Sequence, residues 1–392
     1  MAGWIEDDTT VSNSYAEGDV YSEFCCSGGF AGWVYYGAEV HDSYATGDVT
    51  ELGCCGGGFL GGIWDGSVTG SFSTGDVQGE DEYIGGFAGD IDNEGSGVVS
   101  RNIATGDVTA SNGVWVGGFA GSIGELYTSN VTESAATGNV ESTDDIVGGF
   151  VGNMEKGEVN KSYARGDVTG NDTVGGFAGL IQDGTIDETY SVGVPTATGA
   201  GATDVGGFVG RDDTTVTTGI SSTSSETNER GIGDNADFPG STDRPPIPKQ
   251  RKTVTTRITD TGTTIQANGP ITDSYWDEEA SGTSDSDGGA PLSTSQMTGS
   301  NAPTNMLGFD FTSTWETVRN DYPILQNSPD LSILDDSCTP RRSLSRGQED
   351  NECPHDRELR RGQTRGDIDR GFDRGTSRRD RGRDSTRRDR SR

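Results

Sequence analysis

The tripeptide Gly-Gly-Phe recurs through the first half of the chain, with its aromatic ring at Phe30, Phe59, Phe87, Phe119, Phe150, Phe177 and Phe208. Successive copies stand 29, 28, 32, 31, 27 and 31 residues apart. A fixed period of this size points to a solenoid, because each copy is a unit that buries its apolar positions only against its neighbours. A second string lies between the copies: SYAEGDV, SYATGDV, SFSTGDV, NIATGDV, SAATGNV, SYARGDV and a decayed TYSVGVP.

Aligned copies produce apolar columns. Val34, Ile63, Ile91, Ile123, Met154 and Ile181 stand four residues after each Phe. Val11, Val40, Val68, Val99, Val131, Val159 and Ile186 stand four residues before the second string's aromatic position, and Val20, Val49, Val77, Val108, Val140 and Val168 close the GDV triplets. Val, Ile, Tyr and Phe at recurring positions favour strands, whereas each fixed Gly would weaken a helix by about 1 kcal/mol. The pattern predicts an all-β parallel β-helix of seven to eight coils of roughly 30 residues, each read as VGGFAGxI, TVxxSYA and GDVTG, three strands and three turns. Rungs about 4.8 Å apart give a rod of roughly 35 Å. The paired glycines and the Gly two residues after each Phe mark bends where backbones approach closely or φ is positive.

GGFAGxI followed by SYATGDVTG resembles the GLUG repeat, found in tandem in large bacterial and archaeal surface proteins, including adhesin-like chains and some secreted peptidases. The resemblance covers residues 1 to about 215. SYWDEEASGTSDSDGG, QMTG and FDFTSTWETVRNDYPIL, further on, look like the segment that often closes such arrays. It implies a β-helical stalk or adhesive module and supplies no reaction.

The chain divides into the solenoid at 1–218, a disordered linker or loop at 219–253, a closing strand (TVTTRI) and aromatic cap at 254–336, and an Arg-rich disordered tail at 337–392. Trp276, Phe309, Phe311, Trp315 and Tyr322 supply aromatic area to cap the terminal rung. MAGWI aligns with FAGLI, so the chain enters within a repeat, and an upstream signal and further repeats are expected. From Cys338 onward there are 17 Arg and 11 acids, net +6, against 12 bases and 52 acids, net -40, before it. A frameshifted GC-rich gene yields such a tail; the functional alternative is a polyanion-binding arm. The net charge of -34 makes nucleic acid an unfavourable partner for the whole chain. Only four Lys beside 63 acids fit a halophile, whose acidic surface stays hydrated in concentrated salt. No run of about 18 apolar residues crosses a membrane.

Two cysteine pairs occupy one place in adjacent copies, Cys25-Cys26 and Cys54-Cys55. One rung of separation suits a disulfide, Cys25 with Cys54 or Cys26 with Cys55. Buried thiols and a metal site are the alternatives, and vicinal pairs lack the usual two-residue gap of zinc ligands. Asp19, Asp48, Asp76, Asp107, Asn139 and Asp167 form a further column, read as turns capped by their own side chains, with Ca²⁺ as the alternative. With only His41 and His355, nucleophilic catalysis is poorly supplied. The leading reading is therefore a non-catalytic structural or adhesive module of an extracellular or cell-surface protein, without cofactor, whose partners are cell-surface polysaccharide or neighbouring surface proteins. The alternatives are a polysaccharide-binding or polysaccharide-cleaving β-helix, marked by a face that gathers three or more acids with a Lys or Arg and exposed aromatics, and polyanion binding through the tail.

Overall fold

The computed structural model describes residues 2–214, 271–331 and 334, apart from 24–25, 81, 94–96 and 113–114. The linker at 219–253, the TVTTRI strand, the tail at 337–392 and Cys25 lie outside the described residues.

The chain winds into a parallel β-solenoid whose coils stack in register. Each full coil contributes one strand to each of five parallel sheets, which hold eight, eight, nine, seven and seven strands in the order met along the coil. In the second coil these are Ala31–Tyr35, Glu39–His41, Tyr44–Ala45 and Val49–Glu51, completed by Cys55–Gly57. Five strands replace the three expected, because two of the anticipated segments bend midway. Gly-Gly-Phe separates the fifth sheet from the next coil's first. The TVxxSYA segment breaks between the second and third sheets at a left-handed residue, in turn Asn13, Asp42, Gly70, Arg101, Glu133, Lys161, Glu188 and Asp273, with φ between 40° and 64°. One left-handed residue redirects a strand within a single step.

The glycine after each Phe is there for close approach. A Cβ on Gly121 would lie 2.8 Å from the Gly89 carbonyl oxygen and 2.6 Å from the amide nitrogen of Ile84. Any side chain would therefore meet backbone both in the preceding coil and in the fifth sheet.

The interior has two compartments. The larger holds the Phe ladder, with ring centroids 4.7–5.0 Å apart and planes within 18°. Around it lie the columns of Ile63, Ile91 and Ile123, of Val40, Val68 and Val99, and of Ala45, Ala104 and Ala136. The smaller compartment lies between the fourth and fifth sheets and packs Val49, Val77, Val108 and Val140 against Ile84, Val116, Val147 and Val174. Thus the GDV valines face a core of their own.

Ile271–Thr272 pairs beside Gly184–Asp187, and Tyr275–Asp277 beside Tyr190–Ser191, so these residues supply the eighth coil's second and third strands. Trp276 then occupies the column held by Ala164 and Ser191, and its indole closes the end of the Phe core. The later aromatics of the segment do not lie over the Phe core, whose end is crossed by residues 285–289, with Ser286 Oγ accepting from the N–H groups of Phe208 and Val209. Instead Phe309, Trp315, Met297, Met306 and Leu325 pack on the outward-facing Tyr163, Tyr190 and Tyr275 along the solenoid's flank. Arg165 fixes this strap by donating to the carbonyls of Tyr322 and Pro323, both at 3.0 Å, and Tyr190 Oη donates to Pro323 at 2.6 Å. The outward tyrosines need cover, and the flank is where they are.

Two outcomes follow from this packing. Phe119→Ala, which removes a fully buried ring held between Phe87 and Phe150, is expected to cost about 3–5 kcal/mol in denaturant unfolding, and Phe30→Ala less, since Phe30 has a ring on one side only. Arg101→Gly and Glu133→Gly are expected to stabilise the fold by up to about 1 kcal/mol each, read as a higher thermal midpoint, because Gly70 shows that the left-handed column accepts glycine without a Cβ penalty.

Candidate functional surfaces

The acidic column is tied together by the backbone. Asp19, Asp48, Asp76 and Asp107 each accept a hydrogen bond from the amide N–H of the same position in the following coil, at 2.8–3.1 Å. Asn139 continues the series, its Oδ1 accepting from Asp167 N–H at 3.1 Å, and Asp167 accepts from Val194 N–H. The self-capped turn expected from sequence is thus joined to its neighbour: parallel in-register stacking sets the next coil's N–H beside each carboxylate, so the column bonds across the gap between rungs. A parallel column runs the opposite way. Ser14, Ser43, Ser71, Asn102 and Ser134 donate their N–H to the side-chain oxygen of the following coil's Ser43, Ser71, Asn102, Ser134 and Ser162.

The cysteines lie where the chain passes from the fourth sheet into the fifth. Cys26 and Cys55 are joined in a disulfide, their Cα atoms 4.3 Å apart. Register pairs Ser27 with Gly56, which sets the two cysteines on adjacent rungs. Cys54, outside this bond, has its sulfur 3.5 Å from that of Cys26 and 3.8 Å from that of Cys55. All three sulfurs are buried with Trp33, Tyr35, Trp64, Tyr83 and Trp115 in one outward-facing aromatic layer. Trp4 stacks on Tyr35 at 5.0 Å and is 38% exposed at the layer's edge.

Next to this layer is a group of acids that sequence reading missed. Asp90 occupies the outward column of the first sheet, in register with Gly62 and Ser122, and is 1% exposed. The following coil's loop folds over it: Asp92 accepts from the N–H groups of Leu126 and Tyr127, Tyr127 packs edge-on against Trp64, and Tyr83 Oη donates to Glu125 at 3.1 Å. Asp90 Oδ1, Ser122 Oγ and Asn153 Nδ2 have no hydrogen-bond partner. Burial, followed by the charges of Asp92, Glu125 and Glu155, pushes the Asp90 carboxyl well above the usual carboxylate range. The signal available in sequence was the GELYT segment after Ile123, three residues longer than the QD that follows Ile181 in FAGLIQDG.

A further surface feature is an open depression of about 530 Å³ on the second sheet, lined by Glu158, Lys161, Asp187, Glu188, Asn160 and threonines. Three acids and a lysine gather there without an aromatic ring. Burial raises the Glu188 carboxyl, and Lys161 acts against that shift. His41 sits lower on the same sheet, 2.6 Å from Thr69 Oγ1 and 3.1 Å from Glu39.

Residues 25–50 match the family model of the GLUG motif. The matched stretch runs from Ser27–Gly28 through Val49–Glu51, one circuit of the solenoid. No curated protein and no solved structure matches the chain.

Two measurements check this geometry. Asp107→Ala should lose about 0.5–1.5 kcal/mol in denaturant unfolding while Asp107→Asn retains the bond, as Asn139 does naturally; equal losses would show that charge, not the inter-coil acceptor, matters. The second concerns pH. Asp90 has a folded pKa raised above its unfolded value, so its contribution is fully present below the unfolded pKa and lost as pH rises toward the folded one. Asp90→Asn is therefore expected to raise the unfolding midpoint at neutral pH and to lose that advantage below about pH 4. A constant difference across the range would count against a raised Asp90.

Proposed function

We propose that the chain is a non-catalytic structural or adhesive module of a cell-surface or secreted protein, a GLUG-repeat stalk that acts by holding a long, stiff lateral surface. The supporting observation is the unbroken stack of seven Phe rings, flanked by two oppositely directed side-chain ladders that tie successive coils together. In such a stack the residues shared by the coils serve cohesion. The residues that vary from coil to coil lie in outward loops, which is where a partner would be met. The acid group around Asp90 lies under a loop rather than along an open cleft, an arrangement that leaves no room for a polymer substrate to reach it.

The acidic exterior is read as an adaptation to concentrated salt in a halophile. Thermal unfolding in molar KCl and in dilute buffer tests this part of the reading: the midpoint is expected to climb with salt as repulsion between the acidic turns is screened. A chain equally stable in both would remove the halophile assignment. Localisation is tested by protease treatment of intact cells of the source organism, which should shave the protein from the surface; full protection would overturn the extracellular reading.

A second reading, polysaccharide binding, is favoured by the depression that gathers Glu158, Asp187 and Glu188 around Lys161. Its lining lacks the aromatic ring on which a sugar would stack. Glycan-array binding by the wild type that is lost in Lys161→Ala would raise this reading above the first.

A further inference from the structure

We propose that the three sulfurs of Cys26, Cys54 and Cys55, when reduced, form a binding site for a soft, thiophilic d¹⁰ cation, copper(I) or zinc(II), so that the first and second coils are joined either by a disulfide or by a metal. Thiolates bound at about 2.3 Å around one ion stand about 3.8 Å apart in tetrahedral and about 4.0 Å apart in trigonal geometry. Cys54 Sγ already stands 3.5 and 3.8 Å from the sulfurs of Cys26 and Cys55. The third separation is the disulfide itself, and its opening lets those two sulfurs part within the reach of side chains whose Cα atoms are 4.3 Å apart. Among the described residues, this is the group of Cys, His, Asp or Glu whose ligand atoms all lie within 4.8 Å of one another.

The surroundings select the ion. The three residues are 3–9% exposed, and their walls are Trp33, Tyr35, Trp64, Tyr83 and Trp115, which offer no hard oxygen-rich shell for Ca²⁺ or Mg²⁺. Soft thiolates in an apolar site favour copper(I) and zinc(II). The vicinal Cys54-Cys55 pair, unsuited to one loop presenting two ligands, works here because a parallel rung brings Cys26 in beside it. The chemistry balances as follows. An external dithiol or phosphine delivers two electrons, the Cys26–Cys55 bond opens, two protons are taken up to give two thiols, and the reductant leaves oxidised. Binding of the cation then releases the protons of the coordinating thiols.

The test uses the full chain carrying Cys25→Ser, Cys338→Ser and Cys353→Ser, so that the thiols outside the three-sulfur group do not contribute. The protein is reduced anaerobically with a phosphine, desalted, and titrated in separate arms with copper(I) acetonitrile complex and with zinc chloride. Metal per chain and thiolate-to-metal charge-transfer absorption are recorded. One equivalent of copper(I), zinc or both is expected after reduction and none before it; copper alone identifies a three-sulfur site, and zinc binding a site with a fourth ligand. Cys54→Ser should weaken binding at least tenfold, while intact-mass analysis shows it still closing the Cys26–Cys55 disulfide, which separates loss of a ligand from loss of the fold. No metal uptake by the reduced chain, or uptake undiminished in Cys54→Ser, would overturn the proposal.

Discussion

Every feature of this solenoid depends on parallel pairing with no offset, which places each residue directly over the residue of the same column one coil away. At a rung spacing near 4.8 Å, a side chain must tolerate a copy of itself. Phe satisfies this by stacking, with planes 2° apart between Phe150 and Phe177. Val and Ile satisfy it by interdigitating, and Gly by leaving the space to backbone. Aspartate satisfies it only because an N–H from the next coil stands at each carboxylate. The column Asp48, Asp76, Asp107 would otherwise set like charges at van der Waals range, and Asn139 relieves the series by adding an amide donor to Asp107 at 3.2 Å.

The two polar ladders differ in direction, and the difference has a mechanical sense. In the Ser column an N–H reaches forward to the following coil's hydroxyl; in the Asp column the following coil's N–H reaches back to the carboxylate. Each turn therefore carries a bond across the gap between coils in addition to the strand ladders. Turns are where a short-stranded solenoid would open first, because two or three residues of strand offer few backbone bonds. Clamping the two corners on either side of the third sheet compensates for strands as short as Tyr44–Ala45.

How much of this could be read in the sequence follows from which columns are chosen by side chain and which by backbone. The Phe ladder and the columns of Val40 and Ile63 were legible, because burial admits few residue types and repetition exposes them. The left-handed column was not: Asp42, Gly70, Arg101, Glu133 and Lys161 share a φ and no chemistry, so alignment shows only a variable polar position. The acid column was visible, but its acceptor role was not, because the partner N–H is about 30 residues away and appears only once the coils are stacked. The aromatics of the closing segment were recognised as cover, yet their place on the flank depends on Tyr163, Tyr190 and Tyr275 pointing outward, the opposite face from Phe177 and Phe208.

In a repeat built on self-stacking, a column that abruptly changes its residue type gives up cohesion there. The outward column of the fifth sheet runs Cys55, Tyr83, Trp115 and Ile146 in register. That of the first runs Trp33, Gly62, Asp90, Ser122 and Asn153, with nothing stacked on its like. The two irregular columns adjoin, and between them lie the sulfur group, the aromatic layer and the covered Asp90. The inner columns of the same strands stay regular through all these coils, from Val34 and Ile63 to Ile123 and Met154. Regularity inside with irregularity outside means that packing did not demand these residues. On this flank the irregular columns gather buried sulfurs, aromatic rings and a covered acid, and that concentration of chemistry directs experiments to the first through fifth coils.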